Sequence, residues 1–244
     1  MTSLGGEDIR RSINLAISIV MPTLNEARAI GGVLRDVNGR AYDVLVVDGN
    51  SKDGTPEIAR RLGARVLVQN GRGKGAALRQ AFDIVDGDII IMIDADGSMQ
   101  PREIDMYIKA LASGADLVRG SRFLPGGGSE DLSIFRRFGN MLFVSLVNFL
   151  WSTNYTDLCY GFAGFRKEAL KKLYPSLKSK NFEIETEIFI KAKKLGLKVA
   201  EVPSVERRRR HGKSNLSGIL DGSRILLTIL EEFLDGWRKR NRES

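Results

Sequence analysis

Carboxylates close two of the apolar runs in this sequence. Val46-Val47-Asp48 sets Asp48 directly after one run, and Ile91-Met92-Ile93-Asp94-Ala95-Asp96 ends another on two acids two residues apart. On extended backbone, residues i and i+2 point the same way, so Asp94 and Asp96 can face one ligand. Two neighbouring carboxylates repel unless a cation lies between them. A hard divalent ion that also binds phosphate oxygens relieves that cost, which points to Mg2+ or Mn2+ with a nucleoside diphosphate. The plainer reading of the same residues is a strand end and a helix cap, because Asp favours turns. Arg72-Gly73-Lys74-Gly75 opens a helix. Its glycines let backbone approach a ligand, and a helix N-terminus favours anions. It is not a Walker loop, which has another spacing and a Ser or Thr after the Lys; a basic surface turn is the alternative. Asp53, before Gly54-Thr55-Pro56, reads as a turn and helix start.

Positioning these residues requires a sheet. Strands are expected over Leu15 to Met21, Val44 to Val47, Arg65 to Val68, Ile89 to Ile93 and Leu117 to Val118. Helical patterns lie between them, over Pro56 to Leu62, Ala76 to Val85 and Arg102 to Leu111. This rhythm predicts an α/β fold whose mostly parallel sheet is covered on both faces. Such sheets bind ligands at the carboxyl ends of their strands, where the aspartates stand. The rhythm breaks after Pro125-Gly126-Gly127-Gly128. Phe138 to Trp151 is apolar except for Gly139, Asn140, Ser145 and Asn148, a greasy helix suited either to a core or to a membrane interface. A strand is expected near Val199 to Val202. Leu216, Ile219, Leu220, Leu226, Leu227, Leu230, Phe233, Leu234 and Trp237 make the last helix amphipathic. The expected division is a flexible tail over residues 1–12, one α/β domain over 13–215, and an amphipathic helix with a basic tail over 216–244.

The 244 residues are 43% hydrophobic and 28% charged, an ordinary globular composition with enough chain for one real core. The net charge of +8 gathers in Arg207-Arg208-Arg209-Arg210-His211-Gly212-Lys213 and Arg238-Lys239-Arg240. It calls for a polyanion: nucleic acid, anionic lipid or substrate phosphate. Nucleic acid is disfavoured, since aromatics are only 7%, no stacking motif is present and the carboxylates would repel phosphates. The single cysteine, Cys159, permits no intrachain disulfide and fits a reducing compartment. One cysteine and one histidine, His211, make a zinc site improbable. The longest apolar run, Ile89 to Ile93, is far short of the roughly 18 residues of a spanning helix.

Pro22-Thr23-Leu24-Asn25-Glu26, Val46-Val47-Asp48-Gly49-Asn50-Ser51-Lys52-Asp53-Gly54-Thr55, Arg72-Gly73-Lys74-Gly75, Asp94-Ala95-Asp96 and Gly120-Ser121-Arg122 occur in that order. From about Leu15 to Leu216 the chain resembles the family 2 glycosyltransferases of GT-A fold, and within them the dolichol-phosphate mannose and glucose synthases. The resemblance implies that Pro22, Asn25, Glu26, Asp48, Gly73 and Lys74 line the nucleotide-sugar pocket. Asp94, Ala95 and Asp96 would be the family's D-x-D, with Asp94 and Asp96 on the metal. Thr156-Asp157-Leu158-Cys159-Tyr160-Gly161-Phe162 resembles an acceptor-side segment, and Phe182-Glu183-Ile184-Glu185-Thr186-Glu187 an acidic segment lining the site. Arg209-Arg210-His211-Gly212-Lys213-Ser214 resembles R-x-x-G-x-S, where Arg209 would hold phosphate. Asp48-Gly49 departs from relatives with two adjacent acids, and many relatives add C-terminal transmembrane helices that this sequence lacks.

The implied reaction moves a hexose from a nucleotide-diphosphate sugar, UDP-glucose or GDP-mannose in type, to a polyprenyl or dolichyl phosphate, with inversion. A phosphomonoester with a second pKa near about 6 is already a nucleophile, so no base is needed. The expected acceptor-phosphate ligands are Arg122, Arg136, Arg137, Asn140, Arg209 and Ser214, with Asp94, Asp96, Arg122 and Arg209 as catalytic residues. An acceptor hydroxyl would instead need a carboxylate base, for which Asp157, Glu183 or Glu185 are candidates; a non-enzymatic membrane or nucleic-acid binding module is the third reading. The expected location is the cytoplasmic face of a membrane, docked by its own surface or through a membrane-embedded partner subunit.

Overall fold

The computed structural model describes residues 15–38, 42–209, 211–212 and 216–243, the last five by their backbone alone. The expected tail over residues 1–12, together with Ser214, Arg210 and Lys213, lies outside the described residues. Strands β1 (Ile17–Thr23), β2 (Asp43–Asp48), β3 (Arg65–Val68), β4 (Ile89–Met92), β5 (Leu117–Ser121), β7 (Ala163–Arg166) and β8 (Val199–Pro203) form one sheet in the order β3-β2-β1-β4-β7-β5-β8. All pairings are parallel except those of β7, which runs antiparallel between β4 and β5. β6 (Gly128–Ser129) and β9 (Val205–Glu206) make a separate small parallel pair.

The sheet is buried because both of its faces are covered, so its central strands read as unbroken apolar runs rather than alternating ones. Successive residues still serve opposite cores. Val20, Leu45, Val47, Ile90 and Met92 pack on one side, and Ile19, Met21, Val44, Val46, Ile89 and Ile91 on the other. The second side is covered by α1 (Ile30–Asn38), α2 (Thr55–Arg61) and α4 (Ile104–Ala112). The first side carries α3 (Lys74–Ile84), α6 (Lys167–Leu173) and α7 (Ile184–Lys194), with α5 (Ile134–Trp151) and α8 (Gly218–Glu243) packed outside them.

The expected α/β class holds, and the expected strands fall within two to three residues of the observed ones. Several elements add to the expectation, among them α1, β7 and α7. Helix α1 has the helical spacing Ile30, Val33, Leu34, Val37 on its buried face. Strand β7 reads Ala-Gly-Phe-Arg, with no β-branched residue to betray it. Helix α7 is buried almost all round, including Glu185, Thr186, Glu187 and Lys191, so it has no polar face to give it a period. Helix α5 starts at Ile134, four residues before the expected Phe138, because Ser133 caps it by accepting from the Arg136 amide. It buries only Asn140, Phe143 and Val147 fully, so it is not a plain core helix. No described helix is long and apolar enough to cross a membrane.

Candidate active site

The carboxyl ends of β1, β2 and β4 share one edge of the sheet, with Thr23 opposite Asp48 in register. Above that edge lies a cavity of about 380 Å3, lined by Pro22, Thr23, Leu24, Glu26, Gly49, Gln69, Arg72, Gly73, Lys74, Asp94, Ala95, Asp96, Phe182 and Arg209, among others. This size suits a small ligand. Two cations bridge its acids. Lys74 Nζ lies 2.6 Å from Asp94 Oδ1 and 2.7 Å from Glu185 Oε1. Arg209 spans Glu26 Oε1 through Nη1 and Asp96 Oδ2 through Nη2, both at 2.8 Å. Arg209 is carried there by the β6–β9 pair and by Arg207, whose amide donates to Ser98 O at 2.8 Å.

Four carboxylates (Glu26, Asp94, Asp96, Glu185) thus meet two cations. The excess of acid is felt in their protonation. Burial pushes the Glu26 carboxyl up to about 7, against the pull of Arg209, and Asp96 and Asp94 add to the rise. Burial likewise lifts Asp94 to about 6, against Lys74. Lys74 is held charged by Asp94 and Glu185 in spite of its burial. Acids crowd this end of the cavity, and their donors are hard carboxylate oxygens. No group of three or more His, Cys, Asp or Glu among the described residues forms a full metal cage. Mg2+ and Mn2+ sites of the kind that use one or two carboxylates and finish their coordination with substrate phosphate need none. The residues present fit such an ion at Asp94 and Asp96.

The other nucleotide-pocket residues have mixed placements. Asp48 is buried; its Oδ2 accepts from Ser51 N at 2.9 Å and its Oδ1 has no partner. Asn25 turns its carbonyl to Lys52 N at 2.9 Å and so braces the loop after β2 instead of lining the cavity. Its φ of 55° is the left-handed region that Asn tolerates. The amide of Ala76, in the first turn of α3, is taken by Lys180 O at 3.1 Å, so that helix end is not wholly open to an anion.

A second cavity, of about 370 Å3, opens between α5 and α8. Its walls are apolar, with Leu132, Phe135, Phe138, Leu142, Ile219 and Leu226 among them, and Arg122, Arg136, Asn140, Cys159, Asp221 and Ser223 are its polar lining. Asn140 accepts from Leu158 N at 3.0 Å, while its Nδ2, buried on the same lining, has no partner. The two cavities are neighbours along the chain. Cys159 lines this one, and two residues on, Gly161 packs so tightly on the first site that a Cβ there would stand 2.5 Å from Lys74 Nζ.

The structure divides the expected acceptor-phosphate residues. Arg136 and Asn140 share the apolar groove, Arg209 sits in the other cavity, and Arg137 stacks outward over Phe123 at 5.5 Å from the ring centroid. Arg122, expected among the phosphate ligands, lines the groove and is also held in a buried tie. Its Nε and Nη2 donate to Asp157 at 2.7 and 2.9 Å, Nη2 also to Cys159 O at 2.8 Å, and Nη1 to Glu206 at 3.2 Å. Asp157 is wholly buried, with both carboxylate oxygens in this contact. Replacing Arg122 with Met leaves the Asp157 charge buried and unpaired, and should cost about 3–5 kcal/mol of stability. A denaturant midpoint unchanged in Arg122→Met would contradict this.

Residues 18–174 match the profile of Glycosyl transferase family 2. The chain belongs to the family 2 glycosyl transferases. It is 33% identical to a dolichyl-phosphate hexose transferase of Haloferax volcanii, over 90% of this chain and 94% of that one. It is 34% identical to glycosyltransferase AglJ of the same organism, over 88% of this chain and 71% of that one. A dolichol-phosphate mannosyltransferase of Pyrococcus furiosus is 29% identical over 84% of this chain and 60% of its own length. Among solved structures, glucosyl-3-phosphoglycerate synthase from Mycobacterium tuberculosis, in complex with Mn2+, UDP and glucosyl-3-phosphoglycerate, superposes with a TM-score of 0.76 at 23% identity. It covers 95% of this chain and 85% of that one, a likeness that establishes the GT-A fold of this glycosyltransferase.

Proposed function

We propose that this glycosyltransferase moves a hexose from a nucleotide-diphosphate sugar to a polyprenyl phosphate. The carrying observation is the apolar groove beside the acidic cavity, with Arg136 and the unpartnered Asn140 Nδ2 on its lining. A prenyl chain suits the walls, and the two side chains offer donors to one phosphate. The names of the dolichyl-phosphate relatives point the same way. The cavity at Asp94 and Asp96 takes the donor, with Pro22, Glu26 and Gly49 beside the nucleotide and Lys74 and Arg209 near its diphosphate.

A lipid phosphate oxygen attacks the anomeric carbon. The new carbon–oxygen bond forms as the bond to the nucleoside diphosphate breaks, and that diphosphate leaves with the electron pair. The anomeric configuration inverts, and no proton has to be removed. Mg2+ or Mn2+ bound at Asp94 and Asp96 would neutralise charge on the leaving diphosphate. Lys74 and Arg209 orient it, while Arg136 and Asn140 hold the incoming phosphate against its repulsion. A hydroxyl acceptor is less well served: Asp157 is tied to Arg122, Glu185 to Lys74, and Glu183 accepts two backbone amides at 3.1 Å. Polyprenyl phosphate should therefore accept and the parent alcohol should not; equal transfer to both would refute the phosphate nucleophile.

Helices α5 and α8 carry the surface that meets the membrane on its cytoplasmic, nucleotide-sugar side. Ile134, Phe135, Phe138, Met141, Leu142 and Phe149 are exposed on α5, and Ile219, Leu227, Leu230 and Trp237 on α8. An apolar helix face beside Trp and basic residues lies in an interface without spanning it. Flotation with anionic liposomes should carry the protein at low salt and release it at high salt. Protein that stays at the bottom of the low-salt gradient would instead favour recruitment by a membrane-embedded partner.

A further inference from the structure

The acidic stretch Glu183-Ile184-Glu185-Thr186-Glu187 sends one carboxylate to the site and two elsewhere. Glu185 meets Lys74. Glu187 accepts from the amides of Lys178 and Ser179, both at 2.9 Å. Glu183 Oε1 accepts from the amides of Lys180 and Asn181, both at 3.1 Å. Four successive amides therefore end on two carboxylates at the start of α7.

That turn is the back wall of the Gly73–Gly75 segment. Lys180 O accepts from Ala76 N, and a Cβ at Gly75 would stand 2.5 Å from Ser179 O. A Cβ at Gly73 would collide with Lys180 O and the Asn181 side chain. The next residue, Phe182, lines the cavity, with Lys74 Nζ 5.8 Å from its ring centroid. Glu183 and Glu187 are both buried, and Glu183 Oε2 has no partner. Burying carboxylates is costly, and an ordinary turn closes with Gly, Asn or Asp at no such cost.

We propose that Glu187, with Glu183, is a positioning residue for the donor: it fixes the 178–181 turn, and through it Gly73, Lys74 and Phe182. Neither carboxylate touches the donor. The inference rests on the donor reading of the cavity. Glu187 also meets Lys191 at 3.5 Å, and Lys191 meets Glu232 of α8 at 2.8 Å, so an effect on helix packing has to be separated from an effect on the turn.

Calorimetric titration of UDP and GDP in the presence of Mn2+ does so. The wild-type chain should bind one of them; if it binds neither, the donor reading fails and this inference with it. A carboxamide has one oxygen for two amides, so Glu187→Gln should weaken that nucleotide roughly tenfold. Its kcat at saturating donor should stay within about threefold of wild type, the signature of lost uniform binding. Lys191→Met keeps both amide contacts and should bind within about twofold of wild type. Wild-type affinity in Glu187→Gln overturns the proposal, and so does an equal loss in Lys191→Met, which would trace the effect to packing between α7 and α8. If Glu187→Gln does not fold, Gly75→Ala presses on the same turn from the opposite side. Weakening there by roughly tenfold supports the proposal, and unchanged affinity overturns it.

Discussion

Asp96→Asn is expected to abolish sugar transfer, with a loss of roughly 10³-fold or more, and excess EDTA should do the same to the wild type. Stabilisation of the leaving diphosphate by a divalent ion is a matter of several kcal/mol, and each 1.36 kcal/mol of barrier is about a factor of ten. Asp96 holds the site cation Arg209 through Oδ2 and accepts from Ser98 N at 2.8 Å through Oδ1. The amide keeps the shape and removes the charge. The fold should survive, so the thermal midpoint separates a chemical loss from unfolding. Full turnover in EDTA would remove the metal from this account.

The second large effect is expected in the groove. Asn140→Asp keeps the oxygen that accepts from Leu158 N and puts a negative charge where the unpartnered Nδ2 now stands. Lipid-phosphate turnover should fall by roughly 10²-fold, since a charged hydrogen bond of about 1.5–3 kcal/mol is lost and repulsion replaces it. Arg136→Ala, on the partly exposed first turn of α5, should act in the same direction and more weakly. Neither variant should change the affinity for the nucleotide. Steady-state kinetics with varied lipid and with varied donor separate the two. Unaltered lipid kinetics in both variants would move the phosphate site elsewhere.

The sheet and its acidic edge were legible because they rest on local signals. Val and Ile runs ending in Asp48, Asp94 and Asp96 announce buried strands with carboxylates at their carboxyl ends. Partners distant in sequence were not legible. Arg122 is expected as a phosphate ligand, yet it finds Asp157 and Glu206 at separations of 35 and 84 residues and donates to both. Arg209 reaches Glu26 across 183 residues, which places it with the acids rather than with Arg136 and Asn140. The acidic stretch in α7 looked uniformly site-facing. Its helical turn fans three carboxylates in different directions, and only Glu185 meets a cavity residue, Lys74.

The central claim is that the acceptor atom is a lipid phosphate oxygen. It is tested most directly by incubating the chain with Mn2+, polyprenyl phosphate in detergent, and radiolabelled UDP-glucose or GDP-mannose, followed by organic extraction. The account predicts that label enters the organic phase in step with nucleoside diphosphate release, on a product whose sugar is freed by mild acid. Label that stays in the aqueous phase, or that passes only to a glycan hydroxyl while the donor is consumed, would contradict it.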